Sequence, residues 1–197
     1  MNPALPNNNL KYLRKSGVNQ MVRFGVILGV ICLAATLVLA ATYEITKPKI
    51  DAELKKEEQD ALKEIIPEAD NFINDSVDGI EYFKAEKNKS LVGYCIRVTG
   101  TGYNGYIRCI VGIDKNGIIK GARILEHYET PGLGAKINEV KPGETQPWFL
   151  RQFEGKPAKE IFVKQNIDAI TGATISSKAV TDAIRDTVSK FLSKVKK

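Results

Sequence analysis

The chain of 197 residues is poor in the side chains that most metal sites and many catalytic sites need, since it has one histidine, one tryptophan and three cysteines. No cysteines form a CxxC pair, which argues against zinc or iron–sulfur ligation. His127 stands alone, without a serine–histidine–aspartate set or paired carboxylates with a partner base. We therefore predict no metal site and no catalytic residue in the chain itself.

The three cysteines are Cys32, in an apolar segment, and Cys95 and Cys109, in predicted strands. A disulfide between Cys95 and Cys109 is possible in an exported domain. The alternative is that both are small, buried, apolar side chains. The pattern favours the buried thiols and leaves the disulfide as the second interpretation.

Charge is absent from Phe24 to Tyr43. At roughly 1.5 Å per residue, a helix of this length spans about 30 Å, the thickness of a hydrocarbon core. A cleaved signal peptide is the alternative, because Val38-Leu39-Ala40 offers small residues near a possible cleavage point. The apolar run is longer than the usual signal core of about 7–15 residues, so we predict a transmembrane helix over 24–43.

Acidic residues are absent before this segment, where all four charges are positive: Lys11, Arg14, Lys15 and Arg23. The positive flank predicts a cytoplasmic tail over 1–23 and export of the rest to the periplasm or cell exterior. These four charges also account for most of the net charge of +6, leaving +2 for residues 24–197. Without a basic aromatic stripe, a nucleic-acid partner is not expected.

Beyond the membrane, we predict an amphipathic connecting helix within 44–67, ended by Pro67, and an exported domain over 68–197. Alternating apolar residues predict four strands, and Asp114-Lys115-Asn116-Gly117 predicts a hairpin between the last two. The four strands are Ile80–Ala85, Leu91–Thr99, Tyr106–Ile113 and Ile118–Leu125. The expected fold class is α+β, an antiparallel sheet flanked by helices, with one N-terminal transmembrane helix.

The run Gly100-Thr101-Gly102-Tyr103-Asn104-Gly105 matches the G-x-G-x-x-G pattern of dinucleotide sites. That fingerprint requires a helix directly after it, whereas the residues from Tyr106 onward predict a strand. We interpret the run as a glycine-rich connection between strands, and such glycines permit close approach of the backbone to a ligand.

Hydroxyl side chains are concentrated in Asp168-Ala169-Ile170-Thr171-Gly172-Ala173-Thr174-Ile175-Ser176-Ser177-Lys178, ahead of a helical apolar pattern that continues to Leu192. A helix start with free N–H groups favours an anion, and phosphate is the natural candidate. Ordinary helix capping by Ser and Thr explains the same residues and remains open.

The residues Asp168-x-x-Thr171-Gly172-Ala173-Thr174 resemble the flavinylation motif of the FMN-binding domain family. In that family the last threonine carries FMN through a phosphoester, so the resemblance implies Thr174 as the acceptor. Gly172 and Ala173 leave the acceptor little covered, and Ser177 belongs to the same hydroxyl cluster. Lys178 would ease the phosphate charge or is an ordinary surface residue. Asp168 would order the turn or help to bind a metal during attachment.

A second segment, His127-Tyr128-Glu129-Thr130-Pro131-Gly132-Leu133-Gly134, resembles the other signature of this family. The resemblance implies that Glu129, Thr130, Leu133 and Gly134 lie beside the isoalloxazine ring. Taken alone, the segment is also explained as a tight Pro-Gly connection.

The family includes the G subunit of Rnf complexes and the C subunit of the sodium-pumping NADH:quinone reductase. The resemblance implies a subunit of a membrane-bound Rnf-type complex that relays electrons through covalent FMN, with other subunits and a flavin transferase as partners. The C-type subunit is the runner-up, because it is generally a longer chain. Two interpretations of other classes remain: a stand-alone extracellular flavin reductase, and a non-redox anchored module that binds a phosphorylated ligand.

Overall fold

The computed structural model of the protein describes residues 8–195, with side chains from residue 20 onward. A long helix is followed by five strands, two short 3₁₀ helices and two further α-helices. The α-helices are α1 (Asn8–Ile65), α2 (Trp148–Arg151) and α3 (Thr174–Val195); the strands are β1 (Asn71–Val77), β2 (Ile80–Lys87), β3 (Ser90–Thr101), β4 (Tyr106–Asp114) and β5 (Ile119–His127). The strands form one antiparallel sheet in chain order. The α+β fold class predicted from the sequence is confirmed.

Helix α1 contains both the uncharged segment 24–43 and the predicted connecting helix, and it continues through Pro48 without a break. Proline removes one backbone hydrogen bond, but Ala, Glu, Lys and Leu on either side favour helix. Part of α1 is long and apolar enough to cross a membrane, with a mean hydropathy of 2.7 over the relevant window. The chain divides into two compact units, 8–53 and 54–195 within the described residues. The first part of the predicted cytoplasmic tail, residues 1–7, lies outside them.

The four predicted strands are confirmed as β2 to β5. β2, β3 and β4 are extended by one to three residues in total, whereas β5 begins one residue later and ends two residues later than predicted. The hairpin at Asp114–Gly117 is also present, with Gly117 at φ +90°. Strand β1 was not predicted from the sequence. It is a polar edge strand with little alternation, and the only local signal for it is the Asp78-Gly79 turn, in which both residues have positive φ.

One face of the sheet packs against α3 and carries the larger core. Tyr82, Tyr94 and Phe191 meet edge to face, with ring centroids 4.7 to 6.0 Å apart. Further along, α2 contributes Phe149, which contacts Phe153. The buried apolar residues of α3 follow the predicted helical spacing: Val180, Ile184, Val188, Phe191 and Leu192.

The opposite face packs against the last turns of α1. Ile65 and Ile66 lie over Gly93 and Gly112, where an added Cβ would overlap neighbouring atoms. Arg97 of β3 holds the same helix through a bidentate contact with Glu58, at 2.5 and 2.8 Å. Small residues and ion pairs therefore fix this side of the domain.

Cys95 and Cys109 lie in the cores of opposite faces of the sheet. Both are free thiols, and burial raises the pKa of each to about 12. A disulfide would have to pass through the sheet, so the interpretation as buried apolar side chains is confirmed.

Candidate functional site

The glycine-rich run forms the tight connection between β3 and β4. Gly102 N–H donates to the carbonyl of Gly105 at 2.8 Å, and β4 begins directly afterwards at Tyr106. A strand and not a helix follows the run, as predicted, and a dinucleotide turn is excluded here. The side chain of Asn104 instead donates to the carbonyl of Tyr128 at 2.8 Å, which ties this loop to the segment that follows β5.

The hydroxyl-rich segment forms a turn and then the first turn of α3. Gly172 has φ +78°, a left-handed conformation that suits glycine, and Thr174 is the first helical residue. The first intrahelical bond of this turn runs from Ser177 N–H to the carbonyl of Ala173, at 3.0 Å. The N–H groups of Thr174, Ile175 and Ser176 precede that bond and have no acceptor within the helix. The start of α3 is therefore a place where an anion is stabilised.

A cavity of about 470 Å³ lies between this helix start and the loop after β5. Such a volume falls within the range of about 300–1,000 Å³ that is usual for ligand pockets. The cavity is lined by Tyr103, Glu129, Thr130, Leu133, Gly134, Gly172, Ala173, Thr174, Ile175 and Ser176. Two segments that are far apart in sequence thus form its two main walls.

Seven of the eleven predicted site residues line this cavity: Glu129, Thr130, Leu133, Gly134, Gly172, Ala173 and Thr174. The other four, Asp168, Thr171, Ser177 and Lys178, are not among the lining residues. Thr174 itself is exposed, so its hydroxyl is reachable from solvent.

Ser177 and Asp168 stabilise the turn ahead of Thr174 through hydrogen bonds. The Ser177 hydroxyl is fully buried, donates to the carbonyl of Ala173 and accepts from the N–H of Ile170, each at 3.0 Å. Gln152 binds the backbone of Asp168 on both sides, accepting from its N–H at 2.8 Å and donating to its carbonyl at 3.3 Å. These bonds fix the turn ahead of Thr174, while Thr171 and Lys178 are exposed.

Three lining residues were not among the predicted site residues: Tyr103, Ile175 and Ser176. Tyr103 and Ile175 are 73 % and 57 % exposed, and Leu133, also on the cavity wall, is 50 % exposed. These apolar surfaces suit the face of a flat ring. The sequence placed Tyr103 in a glycine-rich loop and Ser176 in the hydroxyl cluster. That both line the same cavity depends on the tertiary structure.

Glu129 is the one charged residue among those that line the cavity. It is only 5 % exposed, and its carboxylate accepts hydrogen bonds from Asn104 N–H at 3.2 Å and from the Ser176 hydroxyl. Within the described part of the chain, no lysine or arginine lines the cavity, so an anion there would be stabilised by the N–H groups and dipole of α3.

A larger cavity, of about 560 Å³, lies elsewhere in the domain and contains none of the predicted site residues. Its arginines are already paired, Arg97 with Glu58 and Arg108 with Glu126. Lys55 is the other basic residue of the lining, and it is outnumbered by four glutamates, so this cavity offers little to an anionic ligand: Glu57, Glu58, Glu81 and Glu126. The chemistry therefore favours the cavity at the start of α3.

The cavity at the start of α3 fits a flavin mononucleotide at both ends. Free N–H groups beside an exposed hydroxyl suit a phosphate, and Leu133, Ile175 and Tyr103 offer apolar contact for a ring. Gly134 and Gly172 keep the backbone close to the cavity without a side chain in it.

Comparison with known proteins agrees with this geometry. Residues 102–189 match the FMN-binding domain family, and residues 11–65 match the RnfG N-terminal region. A relative from Haemophilus influenzae (strain PittEE), named as the G subunit of an ion-translocating oxidoreductase complex, is 34 % identical and covers 81 % of this chain and 84 % of its own. The protein of that name from Methanosarcina acetivorans is 33 % identical, covering 88 % of this chain and 95 % of its own.

Among solved structures, the C subunit of the Na⁺-translocating NADH-quinone reductase from Parabacteroides distasonis is 28 % identical, with a TM-score of 0.44. The match covers 58 % of this chain and 63 % of that one. The two relatives from Haemophilus and Methanosarcina align over most of this chain, which includes parts of both matched regions. On these grounds the chain belongs to the G-subunit family of ion-translocating oxidoreductase complexes.

Proposed function

We propose that this chain is a subunit of a membrane-bound Rnf-type complex that couples electron transfer to ion translocation, and that it relays electrons through FMN attached covalently to Thr174. The observation that carries the proposal is the cavity itself, since both flavin-motif segments line it and Thr174 stands exposed at its phosphate end. Family membership supports the same assignment over the C-type subunit.

Within this cavity, the helix start would hold the phosphate, and the Thr130–Gly134 wall would hold the ring. The backbone N–H groups of Thr174, Ile175 and Ser176 would stabilise negative charge there, and Leu133 and Tyr103 would offer apolar contact to the ring. FMN supplies reversible electron transfer when bound, and the chain supplies position and electrostatics. No second catalytic constellation is required for a relay.

The proposed partners are the other subunits of the complex, a flavin transferase during maturation, and the membrane. Gly172 has no side chain and Ala173 is buried, so neither covers the exposed Thr174 hydroxyl. This leaves the hydroxyl accessible to a modifying enzyme.

Replacing the acceptor tests the proposal directly. Thr174→Ala in the full chain, expressed with its flavin transferase, should abolish the flavin fluorescence that survives denaturation in a gel, because the phosphoester cannot form. The intact mass of the protein should fall by the mass of the lost flavin adduct.

Thr171→Ala is the matched control, since Thr171 is also exposed and lies three residues earlier but does not line the cavity. It should keep its flavin. Undiminished fluorescence in Thr174→Ala, or a flavinylated peptide containing Thr171 as the acceptor, would contradict the assignment. Bound but non-covalent flavin in the wild type would contradict the covalent attachment and leave only FMN binding.

We also propose that the helix α1 anchors the chain, with residues 1–23 in the cytoplasm and the FMN-binding domain on the periplasmic or extracellular side. The positive N-terminal flank supports this orientation. Protease added to cells with a permeabilised outer layer should cut the domain. Protection until the membrane is lysed would mean the opposite orientation.

A further inference from the structure

Glu129 is a buried carboxylate without a basic partner. Both of its oxygens are taken up by the protein, Oε1 by Asn104 N–H at 3.2 Å and Oε2 by the Ser176 hydroxyl. Among the described residues, no lysine or arginine forms a salt bridge with it. Burying a carboxylate is costly unless its oxygens are hydrogen-bonded, and here both oxygens of Glu129 accept hydrogen bonds from the protein.

Two glycines make room for this carboxylate. A Cβ on Gly102 would overlap Oε1, and a Cβ on Gly134 would overlap Oε2 and lie 2.6 Å from Ser176 Oγ. The backbone thus closes on Glu129 from two sides. Three segments converge on one side chain: the β3–β4 loop, the loop after β5 and the first turn of α3.

We propose that Glu129 is a positioning residue that fixes the separation between the Thr130–Gly134 loop and the first turn of α3. This inference rests on the proposed function, because these two segments are the ring end and the phosphate end of the same cavity. The resemblance to known flavin motifs placed Glu129 beside the ring. With its oxygens bonded to Asn104 N–H and the Ser176 hydroxyl, Glu129 would hold the two walls of the cavity in place.

Glutamine separates position from charge at this site. In Glu129→Gln, the amide oxygen can accept from Asn104 N–H and the amide nitrogen can donate to Ser176 Oγ, so both ties persist without the negative charge. Glu129→Ala loses both hydrogen bonds, and Ser176→Ala loses the one between Ser176 and Glu129. Thr181→Ala is the matched control, because Thr181 is a buried hydroxyl on α3 that bonds only within the helix, to the carbonyl of Ser177 at 2.8 Å.

The first measurement is hydrogen exchange at residues 130–135 in the full, detergent-solubilised chain expressed without transferase. Glu129→Ala should accelerate exchange about tenfold, as expected when a buried tie is lost, and Ser176→Ala should accelerate it less. Glu129→Gln and Thr181→Ala should match the wild type.

The second measurement is the fluorescence anisotropy of flavin in the chain expressed with transferase. Attachment at Thr174 keeps the flavin stoichiometry constant, so anisotropy reports how firmly the ring is held. It should fall in Glu129→Ala and stay near the wild-type value in Glu129→Gln.

Equal behaviour of Glu129→Gln and Glu129→Ala would overturn the proposal, since the charge would then matter and the ties would not. Unchanged exchange and anisotropy in Glu129→Ala would also overturn it. If Glu129→Ala does not fold, faster exchange in Ser176→Ala than in Thr181→Ala supports the proposal, and equal exchange refutes it. Absence of covalent flavin from the wild type would refute the proposed function alone, because the exchange data do not depend on flavin.

Discussion

The two faces of the sheet are held in different ways. On the α3 face, large rings interlock around Phe191, and the candidate site lies at the end of that core. On the α1 face, Ile65 and Ile66 lie close to the glycines of the strands, and ion pairs such as Arg97–Glu58 surround the contact. Large buried rings dominate the first face, whereas the second combines a smaller apolar core with close contact between Ile65 and the strand backbone.

The buried thiols can report on the two faces separately. Cys109 lies in the core under α3 and Cys95 in the core under the end of α1. Their burial and their pKa of about 12 should make both unreactive toward thiol reagents in the folded chain. With Cys32 replaced by alanine, labelling of each shows which face has opened.

The largest effect is expected from Phe191→Ala. Removing a fully buried ring that contacts Tyr82 and Tyr94 should cost about 3–5 kcal/mol in the free energy of unfolding. Urea unfolding of the full chain in detergent, followed by the fluorescence of Trp148, measures it. Cys109 should become reactive before Cys95. Earlier labelling of Cys95 would mean that the α1 face is the weaker one even when the aromatic core is damaged.

A smaller effect is expected from Gly112→Ala, on the other face. The new Cβ would overlap Cγ2 of Ile65, and such overpacking costs about 1–3 kcal/mol. Gly121 is its cross-strand partner, and a Cβ there would lie at an ordinary 3.7 Å from the same atom. Gly121→Ala should therefore be nearly neutral. Labelling of Cys95 should be faster than in the wild type only in Gly112→Ala. Equal labelling rates in the two variants would contradict a close contact between Ile65 and the backbone at Gly112.

The smallest effect is expected from Arg97→Ala. This side chain is 31 % exposed, contacts Glu58 and Glu81, and stacks over Phe83 with its guanidinium 4.7 Å from the ring centroid. We expect the free energy of unfolding to fall by about 1 kcal/mol, and the difference from the wild type to be smaller at high salt. Arg123→Ala breaks a more exposed pair with Glu64 and should fall within about 0.5 kcal/mol of the wild type. A larger loss for Arg123→Ala than for Arg97→Ala would show that burial does not decide how much these ion pairs contribute.

Local patterns were sufficient for most of the fold. Strands β2 to β5 alternate clearly, and the apolar residues of α3 follow a helical period. Strand β1 was not predicted, because an edge strand that buries few side chains needs no alternation of apolar and polar residues. The continuity of α1 through Pro48 was not predicted. The helix propensity of the residues on both sides outweighs the loss of one backbone hydrogen bond at the proline.

The site was predicted in part for a similar reason. Thr174 and Leu133 belong to motifs that are visible in the sequence, and both line the cavity. The bond between Ser176 and Glu129 joins residues 47 positions apart, and no local pattern encodes it. Ser177 has the same residue type as its neighbour but points into the core, because one step along a helix rotates a side chain by about 100°.

The placement of the two buried thiols on opposite faces has a consequence for how the domain matures. With a sheet between the sulfur atoms, Cys95 and Cys109 stay as free thiols, and residues 54–195 have a single disulfide state. The same domain can therefore fold in an oxidising compartment or in a cell that keeps its thiols reduced, with no thiol oxidase or isomerase in its assembly. Heterologous production of the apoprotein should accordingly tolerate a change of host redox state.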